Sequence, residues 1–201
     1  MPENNRLKRA EVIMAGIGGR GVLLAGKLLA EAAMTSFRSV IWFPSYAAAM
    51  RGGPCECTVV ISEGDIASPV LSKSDAVIIM ESSQLKDFIA RVKPGGRLFI
   101  DSSIVTNDVK RDDIEVVAIP ATEIALKIGD GQVANLVLLG AYLEKTKVLP
   151  ISAVEEELAS KLAGRKEALR KLNKIALQEG ARAASNSYIT SAGRYSYHPR
   201  C

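Results

Sequence analysis

Gly16, Gly18, Gly19 and Gly21 crowd the stretch AGIGGRGV, Ala15 to Val22, a spacing that lets a backbone come close to a phosphate. Gly16, Gly18 and Gly21 satisfy the pattern G-x-G-x-x-G. That pattern has chemical force only between a strand and a helix, where unpaired N–H groups and the helix dipole favour an anion. The sequence supplies both neighbours. EVIMA (Glu11 to Ala15) reads as a short buried strand, and Val22 to Ser36 is apolar at helical spacing and rich in Ala and Leu. A dinucleotide site of the usual kind also places an Asp or Glu about twenty residues on, at the end of the second strand, to hold the ribose hydroxyls. Here that strand, SVIWF (Ser39 to Phe43), runs into Pro44. The nearest acids are Glu31, inside the helix, and Glu56, beyond the next loop. The loop therefore points to a phosphate-bearing ligand other than NAD, or to glycines that serve only close packing of helix on strand.

A second group follows in FPSYAAAMRGG, Phe43 to Gly53. Pro44, Ser45 and Tyr46 make a turn, and Arg51 is followed by Gly52 and Gly53. In an open α/β sheet this loop and the first glycine loop rise from the same carboxyl edge, where ligands bind. Arg51 would then offer a planar, permanently charged fork to phosphate or carboxylate, or else form a surface ion pair.

The residues that are missing narrow the chemistry further. His198 is the one histidine and lies in the tail, so Ser-His-Asp and Cys-His centres and multi-histidine metal sites are not expected. Cys55, Cys57 and Cys201 contain no C-x-x-C pair, and an iron–sulfur cluster or structural zinc normally takes four ligands. No metal site and no catalytic side-chain centre of its own is expected in this chain. Cys55 and Cys57 share one strand face and read as small buried apolar residues.

To position such groups the chain has 201 residues, 48% of them hydrophobic but only 5% aromatic, enough for one α/β domain with a core of Val, Ile, Leu and Ala. Further short apolar runs, CTVVIS (57–62), DAVIIM (75–80), RLFID (97–101) and IEVVAIP (114–120), read as strands. SSQLKDFIARV is expected to be a helix, with a turn at KPGG (Lys93 to Gly96), and residues 121–184 to be helical with breaks at IGDG and LPIS. The expected fold is α/β: a three-layer open sheet with helices on both faces and a Rossmann-like first strand–loop–helix unit. Residues 1–184 form the domain, and 185–201 a flexible tail or partner-binding arm. The net charge of +4 is uneven, with nine basic and two acidic residues from Lys161 onward. No base-stacking aromatics interleave them, so nucleic acid is not expected as a partner. With no run of 18 apolar residues and no disulfide framework, a cytoplasmic chain that is neither secreted nor membrane-spanning is expected.

Taken together, GIGGRGVLLAGKLLAEAA, PSYAAAMRGGPCECTVVIS, the I-x-S-P of Ile66 to Pro69, KPGGRLFIDSS, RDDIEVVAIPATEIA and VANLVLLGAYL resemble the gamma subunit of 2-oxoacid:ferredoxin oxidoreductases, in order from about Val12 to Leu143. The resemblance implies a multi-subunit enzyme that oxidatively decarboxylates a 2-oxo acid, forms an acyl-CoA and reduces ferredoxin. It implies thiamine diphosphate and iron–sulfur clusters in partner subunits (alpha, beta and, where present, delta), with coenzyme A as the ligand on the gamma side. The pattern is most similar to the 2-oxoglutarate branch, ahead of the pyruvate and branched-chain enzymes. The residues it carries over are Gly16, Gly18, Gly19 and Gly21, then Pro44, Ser45, Tyr46, Arg51, Gly52 and Gly53, and also Asn135 in VANLVLLGA. Asn135 could equally satisfy a buried carbonyl. The chain departs from the family at Arg20, where Gln is usual and where an added phosphate contact becomes available. It departs again at Ala47 and Ala49, where Gly and Glu are usual. Two other readings remain open: a stand-alone Rossmann-type NAD(P)-binding oxidoreductase, and a purely structural subunit.

Overall fold

The computed structural model of the chain describes residues 9–46, 52–106, 109–162 and 167–186. Six strands among them, β1 (Arg9–Ile17), β2 (Ser39–Tyr46), β3 (Pro54–Ser62), β4 (Ser74–Ile79), β5 (Val92–Asp101) and β6 (Glu115–Ile119), form one sheet in the order β2-β3-β1-β4-β5-β6. β1, β4, β5 and β6 run parallel, whereas β3 is antiparallel to both of its neighbours. β2 and β3 thus form a hairpin laid along the outer side of β1, and β2 points the same way as β1. The carboxyl ends of β1 and β2 lie on one edge, which brings the two glycine segments to the same side.

The helices are α1 (Val22–Ala33), α2 (Leu85–Phe88), α3 (Ala121–Ile128), α4 (Ala134–Thr146), α5 (Ile151–Lys161) and α6 (Glu167–Asn186). They cover the two faces of the sheet unequally. α1, α3, α4, α5 and α6 pack with Val12, Met14, Val59, Ile78 and Phe99 in the larger core. Among the described residues the other face carries α2, its flanking turns, Leu71 from the segment before β4, and Val105, Val109 and Ile114, against Ile13, Val77, Leu98 and Ile100. This is the alternation expected of a parallel strand buried on both sides, with successive residues sent to opposite cores. α4 is buried from Asn135 to Leu143, because it is caught between the sheet and α6. Its Tyr142 meets Phe99 of β5 edge to face, with ring centroids 5.7 Å apart. α4 and α6 approach so closely at Gly140 and Gly180 that each glycine lies against the other helix's backbone. No helix among the described residues is long and apolar enough to cross a membrane.

The structure corrects several boundaries. Pro44 does not close the second strand, which continues to Tyr46 with Pro44 opposite Cys57. β2 is an edge strand, and there a missing N–H breaks no ladder. The third strand begins at Pro54 rather than Cys57. KPGG is not a turn between elements but an irregularity inside β5, where Ser74 pairs with Val92 and Ala76 already with Arg97. The helix expected over SSQLKDFIARV is one short α-turn, α2, between the 3₁₀ turns Ser82–Gln84 and Ile89–Arg91. α6 runs two residues past the expected end of the domain. The tail beyond it lies outside the described residues.

Candidate functional site

β1 ends at Ile17, and a turn closes at once as the Arg20 N–H donates to the Ile17 carbonyl over 3.2 Å. Gly19, the third residue of that turn, has φ +93°, a value that only glycine adopts without strain. Gly21 then starts α1, and no side chain caps this helix. Its first intrahelical bond runs from the Ala25 N–H to the Gly21 carbonyl at 3.0 Å, so the N–H groups of Val22, Leu23 and Leu24 precede the helical ladder. Gly18, Gly19 and Arg20 are exposed to solvent. This is a helix start able to receive an anion.

The second glycine segment meets the first directly. The Gly18 N–H donates to the Gly53 carbonyl at 2.9 Å, tying the loop to the beginning of β3. Pro44, Ser45 and Tyr46 lie at the end of β2, with Ser45 exposed. Arg51, Ala47 and Ala49 lie outside the described residues. Gly16 serves packing instead: a methyl there would stand 2.8 Å from Val22 Cγ2.

Asn135 reaches the loop from α4. Its Nδ2 donates to the Gly21 carbonyl at 3.1 Å, and a methyl on Gly21 would stand within 2.4 Å of that nitrogen. The side chain of Asn135 therefore donates to a half-buried carbonyl that also takes the Ala25 N–H. It also fixes the start of α1 against α4. Arg20 turns toward Glu81 at the end of β4, 3.4 Å away across exposed surface, where Glu81 also accepts from the Ser82 N–H. So long and exposed a pair holds the guanidinium weakly.

Next to these groups the loop opens on a cavity of about 310 Å³ at the carboxyl ends of β4 and β5. Gly19, Arg20, Thr122, Asp130, Gln132 and Asn135 contribute polar lining, with apolar walls from Met80, Ile104, Leu126 and Leu138. Asp101, 1% exposed at the end of β5, accepts from the N–H groups of Ser103 and Thr122 and from the Thr122 hydroxyl. It holds the beginning of α3 in place. Sequence reasoning passed over Glu81, Asp101 and Asp130. Their signal was an acidic residue standing at the end of an apolar run, IIME and FID, or ahead of a helix start, as in GDGQ.

The two thiols near this edge are free and buried. Cys57 lies under α1, its Sγ 3.6 Å from the Val22 carbonyl, and burial pushes its pKa up to about 12. Burial also raises that of Cys55. Among the described residues no group of three or more His, Cys, Asp or Glu could hold a metal ion.

The arrangement departs from a dinucleotide fold on two counts. Among the described residues β2 carries no carboxylate at its end, the Glu56 opposite Ser45 being paired with Arg91 at 2.8 Å, and β3 separates β2 from β1, whereas a dinucleotide fold sets these strands side by side.

Comparison with known proteins agrees with these features. Residues 11–183 match the family model described as pyruvate ferredoxin/flavodoxin oxidoreductase. The 2-oxoglutarate synthase subunit KorC of Methanothermobacter marburgensis is 35% identical over 157 residues, which are 75% of this chain and 84% of KorC. The ketoisovalerate oxidoreductase subunit VorA of the same organism is 32% identical over 155 residues, 77% of this chain but 31% of VorA. The chain thus spans about a third of the length of the VorA relative it matches. Among solved structures, the gamma subunit of a keto/oxoacid ferredoxin oxidoreductase from Geobacter sulfurreducens superposes with a TM-score of 0.77 at 31% identity, covering 89% of this chain and 98% of that one.

Proposed function

This chain belongs to the pyruvate ferredoxin/flavodoxin oxidoreductase family, and we propose that it acts as the gamma component of a multi-subunit 2-oxoacid:ferredoxin oxidoreductase in the cytoplasm. Thiamine diphosphate and the iron–sulfur clusters belong to its partner chains. Its own described residues offer no metal-ligand cluster, and its buried thiols stay protonated. The complex removes CO₂ from a 2-oxo acid, transfers the acyl group to coenzyme A and passes the electrons to ferredoxin. The 2-oxo acid we assign is 2-oxoglutarate, because the match to KorC extends over 84% of that subunit.

The contribution of this chain is to hold coenzyme A and to join the subunits. One observation carries that reading: α1 begins on an exposed glycine loop with no side-chain cap, and among the described residues β2 carries no acid at its end. Such a site suits the phosphates of coenzyme A better than a nicotinamide dinucleotide. Val22, Leu23 and Leu24 would present backbone N–H groups to a phosphate there, and Arg20 would leave Glu81 to add charge.

Anaerobic purification of the chain from its own cells, with identification of co-eluting chains and assay for thiamine diphosphate, iron and sulfide, tests the proposal. Co-elution with those groups, and turnover of 2-oxoglutarate dependent on coenzyme A, is the expected result. A chain that emerges alone and binds NAD(P)H would overturn it and favour the stand-alone Rossmann alternative. If the purely structural reading holds, Gly18→Ala in the assembled complex leaves the apparent affinity for coenzyme A unchanged.

A further inference from the structure

The first two turns of α6 hold three cations, Arg170, Lys171 and Lys174, against one acid, Glu167, and its last turn holds no cation. That is the reverse of what the helix dipole favours. With Glu155, Leu158 and Ala159 of α5, the three cations line a groove of about 280 Å³. On the α5 side the sequence supplies three consecutive acids, Glu155, Glu156 and Glu157.

Most of these charges are settled within the chain. Glu155 takes Lys174 Nζ at 3.1 Å and Gln178 Nε2 at 2.7 Å. Glu157 lies 3.6 Å from Lys161, and Glu167 lies 2.5 Å from Arg170. Two are left over. Glu156 on α5 and Lys171 on α6 are both exposed, and neither has an ion-pair partner among the described residues.

The surface thus carries one unanswered charge of each sign. A nucleic acid, an anionic membrane or an acidic protein segment would answer Lys171 and be repelled by Glu156. A second copy of the same surface answers both at once, because a two-fold axis sets each residue of a pair opposite the other twice. The ground around Glu156 suits such an approach. One helical turn to either side stand Ser152 and Ser160, and Ala159 lies at the groove; all three are small and exposed, leaving room for a helix of another chain to lie close.

We propose that this face of α5 and α6 is where two copies of the chain meet, as an isologous pair in which Glu156 of each copy meets Lys171 of the other. The contact uses neither the glycine loop nor coenzyme A, so it stands or falls apart from that reading. A pair built on charges and small side chains is weak and sensitive to salt.

Sedimentation of the full chain across a range of concentrations tests it. The parent is expected to pass from monomer to dimer, with association falling as salt is added. Lys171→Glu and Glu156→Lys each set like charges opposite one another at both contacts, and each should weaken the dimer about tenfold or more. Both positions are exposed, so the fold should be unaffected. Mixing the two variants restores opposite charges at both contacts, and the mixed dimer should form as readily as the parent dimer. Only a contact between chains gives that recovery, since mixing leaves the surroundings within each chain unaltered. A parent chain that stays monomeric up to about 100 µM overturns the proposal. So does a dimer that ignores both substitutions, or one that the variants weaken without recovery on mixing. Binding of RNA or of anionic vesicles that Lys171→Glu abolishes, with no change in oligomeric state, would overturn it in favour of a different occupant.

Discussion

Gly140 and Gly180, where α4 crosses α6, and Gly18 and Gly19, between β1 and α1, meet opposite surroundings when a methyl is added to each. On Gly140 it would stand 2.0 Å from the Leu177 carbonyl oxygen, and on Gly180 1.9 Å from that of Val137. Backbone cannot rotate out of the way, so space alone demands glycine there. On Gly19 the methyl meets nothing within 4 Å, and the left-handed φ makes the demand instead. Gly18 is under neither compulsion. Its φ is not positive, and its methyl would stand 3.3 Å from the Gly52 nitrogen, a contact that a shift of a few tenths of an ångström relieves. A glycine that the fold itself does not require is the position at which function can be separated from folding.

The largest effect is expected where the backbones touch. Alanine is ordinarily the better helix former by about 1 kcal/mol. Gly180→Ala should nevertheless destabilise the chain by about 3 kcal/mol or more, because α4 and α6 must part. Chemical denaturation of the full chain reads this directly, and a neutral or stabilised variant would break the contrast between the two glycine pairs.

Next comes the amino edge of the sheet. Glu11 is 6% exposed between Lys93 Nζ at 2.6 Å and Arg9 Nε at 2.8 Å. Burial alone would raise its pKa, but the two cations outweigh it and hold the carboxyl below its usual value. The stabilisation is complete above the unfolded pKa of about 4.3 and fades as pH falls through the lower folded value. Glu11→Gln should cost about 1–3 kcal/mol at pH 7, with the difference closing below about pH 4 in urea titrations across pH.

Gly18→Ala should change stability by less than about 1 kcal/mol, yet raise KM for coenzyme A several-fold in the complex. Equal losses in folding and binding would return Gly18 to the class of Gly180. The smallest effect belongs to Arg20→Gln. Removing an exposed pair at 3.4 Å should alter the free energy of unfolding by no more than about 0.5 kcal/mol. Any weakening of coenzyme A binding in that variant should fade as salt is added.

The strand–loop–helix start was legible because a buried strand, a glycine turn and an Ala-rich helix each leave a local mark. The approach of the second glycine segment was also legible, since hairpin and loop share one edge, and the Gly18–Gly53 bond shows them in contact. What the chain order hid is the pairing. Nothing local in CTVVIS says that it runs antiparallel between β1 and β2, because strand order is settled by partners far along the chain. Gly140 and Gly180 were lost in apolar helical runs, where a glycine looks like any small residue until a second helix lies against it. The cap carboxylates, Asp101 and Asp130, were missed for the same reason: each matters through an N–H that only the folded chain brings near.

The position of β1 has a kinetic consequence. Its antiparallel partner, β3, is complete by Ser62, but its parallel partner begins only at Ser74, so Val12 to Ala15 must wait for Ala76 to Ile79. On the ribosome the three-stranded antiparallel unit β2-β3-β1 can close early, leaving the inner side of β1 as an open template. Closure of that side converts a local hairpin assembly into one dominated by distant contacts, the slow class of folding event. The strand that leads into the glycine loop is therefore the first to be made, yet its inner edge stays open until β4 arrives.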